Sequence, residues 1–422
     1  MRKIKVGVIG VNRGSSMINY CRSAGNAQVV AICDKWEEGL RKKQQEINDA
    51  NISYYVDYED FLKHDMDVVV LANFANEHAP FAVRAMNEGK NVISEVLPCQ
   101  NMKEAVELIE TVKRTEKQYF YAENYCFMPS PREMKRLYRE GKIGELEYAE
   151  GEYIHNCEPI WHEITQGDPT HWRNNMYANF YCTHSIGPML HITGLRPVKV
   201  TGFELPFNAR MARMGGKSGS CGIEMITLEN GAVIKSIHGN LSLNSIWYTL
   251  YGSKGRMESS RESVSGSDGI EKLYVEAYET DTGYDSLDKS EYNPADELSE
   301  RAKNFGHGGS DFYTMYNCME KLLGNKEADV IDVYEALDMF LPGLYAYKSV
   351  LAGGAPMDIP DMRDASQREK VKNDTFCTDP KTAGDMLLPS YSKGNPEIEP
   401  EIYKLHREKW LQNKYRAAYW KK

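Results

Sequence analysis

Residues 3–16, Lys-Ile-Lys-Val-Gly-Val-Ile-Gly-Val-Asn-Arg-Gly-Ser-Ser, leave the backbone few paths. A β-branched run stops at Gly10, and Gly14-Ser15-Ser16-Met17 opens a helix. Strand, tight glycine turn and helix start are the opening of a dinucleotide-binding unit. The helix end offers unpaired N–H groups and a positive dipole end to a pyrophosphate. The spacing departs from Gly-x-Gly-x-x-Gly. Counted from Gly10, Asn12 and Ser15 hold the second and third glycine places, and the glycines are Gly7, Gly10 and Gly14. Asn12 is read as a substitute because asparagine tolerates φ > 0. A second strand, residues 28–33, ends at Asp34, 24 residues beyond Gly10. An acid there is placed to hydrogen-bond a ribose 2′-OH and to repel a 2′-phosphate, which favours NAD over NADP. Lys35 beside it works against that preference. The competing reading is a glycine-rich strand end that binds nothing, and Asp34 weighs against it.

The chain then alternates. Residues 67–73 form a continuous apolar strand of the kind covered on both faces in a parallel sheet. Residues 78–88 form a helix stopped by Gly89. Residues 91–94 are a strand leading into Glu95-Val96-Leu97-Pro98, residues 102–112 keep a 3.6 period, and residues 118–124 are another strand. This predicts a Rossmann domain over 1–124. The pattern changes after a helix at 131–140. Strands dominate from residue 145, with Asn230-Gly231 between apolar runs as a hairpin signal. Residues 247–251 and 273–279 read as further strands and 281–300 as a polar loop. Ser310 is read as the cap of a helix, and Pro342 as an interruption of the helix at 333–351. The expected class is α/β: the Rossmann domain, then an α+β domain over 125–364 with a mostly antiparallel sheet, for substrate and oligomerisation. Residues 365–422 form a Lys-, Pro- and Tyr-rich extension that wraps the body or a partner subunit.

Composition narrows the partners. A net charge of −10 argues against nucleic acid, and no run approaches the length of a membrane span. Nine cysteines without Cys-x-x-Cys pairs read as buried free thiols of a reducing, cytoplasmic compartment, with no secretory signal visible. The 27 tyrosines hint at carbohydrate-like ligands, against the commoner use in core packing. His162, His171 and His184 lack a metal-like spacing with carboxylates, so no metal site is expected.

These segments resemble the Gfo/Idh/MocA family of NAD(P)-dependent oxidoreductases over residues 1–365. The resemblance implies a Rossmann domain paired with an open-faced antiparallel sheet whose outer face often makes a dimer. In dehydrogenase members the fifth strand ends in Glu-Lys-Pro, and the lysine assists proton transfer. Here the matching residues are Glu95-Val96, with Pro98 one place later, and a valine moves no proton. A narrower likeness rests on Ala122-Glu123-Asn124-Tyr125-Cys126-Phe127, Gly144-Glu145-Leu146, Tyr153-Ile154-His155, Trp172-Arg173, residues 179–184 with Gly187-Pro188, and Gly306-His307-Gly308-Gly309. It is similar to the NAD-dependent α-N-acetylgalactosaminidases, a branch that also lacks the lysine and carries a valine there.

That likeness implies a glycosidase with retained NAD: transient oxidation at sugar C3, removal of the C2 proton, elimination of the aglycone, addition of water and re-reduction. Tyr181 and His184 match the residues near the C2 proton and the C3 hydroxyl, and Glu123 matches an acid near the sugar. Tyr181 and His184 are three apart, as on one helical turn. His155, Tyr153, Arg173, Trp172 and His307 are substrate-binding candidates. Each also has a structural reading: packing for Tyr181, a hydrogen-bonded core histidine for His184, a buried structural acid for Glu123, loop shaping for His307. Gly10, Asn12, Arg13, Gly14, Ser15 and Asp34, with Asn73, His78 and Glu95, form the expected cofactor set. Two other functions stay open: an NAD-dependent sugar or polyol dehydrogenase with His184 in the lysine's place, and a non-catalytic NAD-binding protein. The expected partners are a small-molecule glycoside or sugar and further copies of the chain.

Overall fold

A computed structural model describes residues 2–262, 270–284 and 286–415. The N-terminal part runs β1 (Ile4–Ile9), α1 (Ser15–Ser23), β2 (Ala27–Cys33), α2 (Glu37–Ile47), β3 (Ser53–Tyr55), α3 (Tyr58–Leu62), β4 (Val68–Leu71), α4 (His78–Asn87), β5 (Asn91–Ser94), α5 (Met102–Thr115) and β6 (Tyr119–Tyr121). The six strands are all parallel in the order β3-β2-β1-β4-β5-β6. The order reverses between β1 and β4, and in open α/β sheets ligands bind at that switch point. β4 is buried throughout, as a strand covered by helices on both faces must be.

The C-terminal part runs α6 (Pro129–Arg139), β7 (Leu146–Ile154), α7 (Trp161–Thr165), α8 (Trp172–Asn175), α9 (Thr183–Thr193), β8 (Pro197–Glu204), α10 (Ala209–Met214), β9 (Cys221–Leu228), β10 (Val233–Gly239), β11 (Ser245–Gly252), β12 (Gly255–Ser259), β13 (Leu273–Ala277) and β14 (Asp288–Tyr292). Then come α11 (Ser299–Ala302), α12 (Ser310–Leu322), α13 (Val333–Leu351), β15 (Met357–Asp358), α14 (Ala365–Val371), α15 (Pro380–Ala383) and α16 (Pro400–Tyr415). Nine strands form one mixed sheet, order β14-β13-β12-β11-β7-β10-β9-β8-β15. Every pairing is antiparallel except β10 with β7. Helices α9 and α13 cover one face. The other carries the exposed Phe203, Met225, Tyr251 and Tyr274.

Helix α9 positions the site, and three contacts fix it. A Cβ on Gly151 of β7 would lie 1.8 Å from the Ser185 carbonyl oxygen, so the helix lies directly on the strand. The Tyr248 phenol of β11 donates to the His184 carbonyl. Near the C-terminal end, His191 Nδ1 meets Glu335 Oε1 at 2.5 Å, while Lys135 of α6 reaches Asp329 at 2.6 Å and donates to His191 Nε2. Four buried or half-buried titratable groups thus tie α6, α9 and α13 together.

The structure corrects several expectations. Pro342 does not interrupt α13, which is continuous from Val333 to Leu351. A proline costs a helix one N–H bond, here to the Asp338 carbonyl, and the helix persists because it is buried along its length and packed closely at this point: the Cys182 thiol lies against the Met339 and Phe340 carbonyls, and Gly343 against the Asn179 carbonyl. The stretch 281–300 is not all loop. β14 is an exposed edge strand of charged residues, whose pattern carries no apolar alternation to read. Ser310 is the first helical residue of α12, and Gly309, at φ +88°, is its cap. Past residue 364 the chain packs on its own body: Lys103 N donates to Asp374 O, Ser390 Oγ to Asn175 O and Tyr403 to Gly215 O, and Trp410 lies 6.0 Å from Trp36. Residues 416–422 lie outside the described residues.

Because Gly151 admits no side chain beneath α9, Gly151→Ala is expected to cost about 1–3 kcal/mol of stability, the usual penalty of overpacking. A thermal melt several degrees below the parent's checks this, with activity falling as α9 is pushed off β7.

Candidate active site

The glycine turn lies at the sheet's switch point. Gly10 has φ +99°, and a Cβ there would lie 2.2 Å from the Ala72 oxygen. A Cβ on Gly14 would lie 2.2 Å from the Gly10 oxygen, so both positions require glycine. Asn12 does not use the left-handed region expected of it; it is exposed and simply follows the turn. Helix α1 has no side-chain cap, which leaves its N-terminus to an anion. Ser15 Oγ is turned back onto the Val11 oxygen at 2.6 Å. Asp34 accepts from Val11 N and Trp36 N, both at 2.8 Å, so the acid and the turn hold each other. Burial raises its pKa and those two bonds oppose the rise. Lys35 is spent on Glu77 at 2.8 Å. Asn73 Oδ1 is a buried acceptor with no partner among the described residues, next to the close approach of Gly10. These features fit NAD: a glycine cradle, a free helix end, an acid at the end of β2 and an unpaired acceptor beside them.

His78 is different. Its Nδ1 lies 2.8 Å from the Leu97 oxygen and Nε2 3.3 Å from the Asn73 oxygen. Burial lowers its pKa, and a neutral ring donates from one nitrogen only, so the shorter bond to Leu97 is the real one. The side chain shapes the loop after β5.

The second half of the site rests on Glu123, just beyond β6. It is fully buried. Its Oε1 meets His184 Nδ1 at 2.6 Å and accepts from Tyr125 N at 3.2 Å; its Oε2 accepts from Thr183 Oγ1 at 2.8 Å. Gly187 allows this, since a Cβ there would lie 3.1 Å from Glu123 Cγ. The carboxylate orients the imidazole and leaves Nε2 for other partners. Around that ring stand Tyr125, Tyr153 and Tyr181, at 4.4, 4.6 and 5.0 Å between ring centroids. Burial raises the phenol pKa of all three. For Tyr181, Arg173 opposes that rise: its guanidinium lies over the ring at 4.6 Å and donates to the phenol oxygen at 3.3 Å. Arg173 also lies over Trp172 at 4.5 Å. Tyr181 lies in the turn before α9, not on one helical turn with His184 as expected, yet the fold brings the two rings together. His155 is stacked on Tyr153 at 6.0 Å, and burial lowers its pKa to about 4, with Arg173 adding.

A buried charge network joins the two halves. Arg13 binds Asp311 of α12 through both guanidinium nitrogens, at 2.9 and 3.0 Å, and Glu95 at 2.7 Å. Asp311 also accepts from Ser16 Oγ at 2.8 Å and Asn124 Nδ2 at 3.1 Å, and its Oδ1 lies 3.2 Å from His307 Nδ1. Burial alone would raise Asp311, but His307 and Arg13 hold it well below the usual carboxylate range. Burial raises Glu95 despite Arg13. The structure therefore gathers Glu123, Tyr181, His184, Tyr153, His155, Trp172, Arg173 and His307 into one contiguous cluster, with His307 joined to it through Tyr125. Sequence reasoning missed Asp311 and the roles of Tyr125 and Asn124. The latter two lay inside a quoted motif, whereas Asp311 looked like an ordinary acid in a helix's first turn.

Such an arrangement, a dinucleotide seat joined to a carboxylate-held histidine ringed by phenols, fits an NAD-binding oxidoreductase. The comparisons agree. Residues 4–123 match the oxidoreductase family with NAD-binding Rossmann fold, and residues 133–368 match the C-terminal domain of glycosyl hydrolase 109. The chain belongs to glycosyl hydrolase family 109. A family 109 protein of Solibacter usitatus is 27% identical over 394 residues, covering 85% of this chain and 88% of that one. Another, from Phocaeicola vulgatus, is 26% identical over 401 residues, covering 85% and 83%. Among solved structures, levoglucosan dehydrogenase in complex with NADH and levoglucosan aligns with a TM-score of 0.68 at 18% identity, over 85% of this chain and all of that one. An oxidoreductase from Agrobacterium radiobacter in complex with NAD+, L-tartaric acid and magnesium gives 0.67 at 16%, over 85% and 98%. Both share the fold.

Glu123→Gln keeps the shape of the site but removes the charge that orients His184. If His184 is the group that moves the proton, turnover is expected to fall by at least about 100-fold with little change in KM. Steady-state kinetics at equal nucleotide content checks this.

Proposed function

We propose that this protein is an NAD-dependent glycosidase that oxidises its sugar only transiently. The observation that carries the reading is the His184–Glu123 pair with Tyr181 against the same imidazole, while the residue after Glu95 is Val96 where the resemblance puts a dehydrogenase's proton-moving lysine. Membership of family 109 supports it. Bound NAD supplies a reversible hydride acceptor for the sugar C3–H. His184, held at Nδ1 by Glu123, takes the C3 hydroxyl proton at Nε2 as the carbonyl forms. That carbonyl acidifies the C2 proton. Tyr181 acts from its phenolate form, which Arg173, already bonded to its oxygen, favours against burial; it takes this proton and becomes the phenol. The electron pair of the C2–H bond forms the C1–C2 double bond, and the bond from C1 to the aglycone breaks. Water then adds its oxygen at C1 and its other proton goes to the departed aglycone oxygen, Tyr181 protonates C2 after exchanging with solvent and is the phenolate again, and His184 gives back the hydroxyl proton as C3 is reduced. The sum is glycoside plus water giving sugar plus aglycone. Tyr153, His155, Trp172 and His307 line the pocket as sugar contacts, with aromatic faces for the ring.

The exposed Phe203, Met225, Tyr251 and Tyr274 support a homo-oligomer through the outer sheet face. The nine cysteines, all free and buried, support a reducing, cytoplasmic setting. No helix of the described residues is long and apolar enough to cross a membrane. The second reading is an NAD-dependent sugar dehydrogenase with His184 as its base, favoured by the same imidazole beside the cofactor seat.

An assay of aryl glycosides without added cofactor separates the two. Hydrolysis with no net NADH is expected; steady NADH build-up from free sugar would point to the dehydrogenase. Tyr181→Phe and His184→Ala are each expected to lower turnover by about 10²–10⁴-fold, the range of general acid–base catalysis, while NAD stays bound. Because burial keeps His155 neutral above a pKa of about 4, His155→Gln is expected to leave the shape of the pH–rate profile between pH 5.5 and 9 unchanged, whatever it does to its height.

A further inference from the structure

Arg13 stands on the turn where a pyrophosphate belongs, yet its guanidinium is committed to two carboxylates from other elements. It makes a two-pronged bond to Asp311 of α12 and a third contact to Glu95 at the end of β5. The Asp311 side chain is 3% exposed. Ser16, from the first turn of α1, gives Asp311 another donor, and Asn124 gives a third. Asn124 adjoins Glu123, which holds His184. One continuous chain of bonds therefore runs from the glycine turn, through Arg13 and Asp311, to the catalytic pair. Planar guanidinium–carboxylate geometry of this kind is specific, and removing one partner of a buried pair leaves the other charge uncompensated.

The turn that presents Asp311 is itself unusual. His307, Gly308 and Gly309 all lie in the left-handed region, at φ +55°, +62° and +88°. His307 is the one without glycine's freedom, and its ring is directed onto Asp311. Holding a non-glycine residue there costs free energy, which the Asp311 contacts offset.

We infer that the Arg13–Asp311 bond is a latch that retains NAD by fastening α12 across the glycine turn, so that the nucleotide leaves only when this bond opens. The inference rests on the reading of the protein as an enzyme that completes its redox cycle on one nucleotide. An ordinary dehydrogenase exchanges its nucleotide every turnover and has no use for such a fastening. Arg13 and Asp311 are positioning residues: neither needs to touch the reacting atoms.

The test follows nucleotide exchange on the full chain. Protein purified with its NAD is mixed with excess isotopically labelled NAD, and the bound nucleotide is sampled by mass spectrometry after rapid gel filtration. Asp311→Asn keeps the side chain's shape and removes its charge; exchange at least about tenfold faster than the parent's is expected, with a lowered melting temperature because Arg13 loses a buried partner, so exchange is compared at a temperature where both proteins are folded. Arg13→Lys keeps the charge and loses the fork, and a smaller acceleration is expected; it also serves if Asp311→Asn does not fold. Parent and folded variants exchanging at equal rates overturns the latch and leaves the glycosidase reading standing. A parent that exchanges NAD within a single turnover overturns the retention reading, and the latch with it.

Discussion

A fully buried carboxylate is costly unless its oxygens are occupied, and Glu123 occupies both with groups from the second half of the molecule. This one interaction decides how the rest must be arranged. The acid stands at the end of the last parallel strand, and its partners Thr183 and His184 open α9. Sheet and helix therefore have to meet at this point, and the histidine arrives already oriented. Glycines make the meeting possible: Gly187 lets the helix approach Glu123, and Gly151 lets the same helix lie on β7. Both glycines fix where His184 and Glu123 meet.

The same arrangement explains why the site is shared between the two sheets. The parallel sheet supplies the nucleotide seat and the acid, and α9 with the turn before it supplies the histidine and the tyrosine. Helix α12 returns late in the chain to place Asp311 against Arg13. Charges buried in this junction are paired, as they must be at low dielectric. Arg173 is the exception in kind, since its partners are rings and a phenol, not a carboxylate. A cation so held is suited to steadying negative charge that appears only during reaction.

Much of this was legible in the residues. The Gly10 turn, Asp34 and the alternation of apolar strands with periodic helices foretold the parallel sheet, because each reports a local constraint. Asn230-Gly231 foretold the β9–β10 hairpin for the same reason. What escaped were consequences of tertiary packing. Pro342 sits inside a helix that is buried and packed closely on both sides of it. β14 hides because an edge strand can be charged on both faces. Asp311 is invisible because nothing local distinguishes it from a helix-opening acid; its importance comes from Arg13, nearly three hundred residues away. Asn12 was credited with a backbone freedom that Gly10 alone uses. Tyr181, His184 and Glu123 emerged through resemblance, and the fold brings Glu123 and Tyr181 against the one imidazole.

Hydrolysis in deuterated water tests the central claim most directly. An aryl glycoside that the enzyme turns over is hydrolysed in D2O, and the released sugar is examined by NMR or mass spectrometry. If C3 is transiently a carbonyl and the aglycone leaves by elimination, the C2 hydrogen passes through an exchangeable site, and the product carries deuterium at C2. A product with protium retained at C2 means that the aglycone was displaced directly, which contradicts the account.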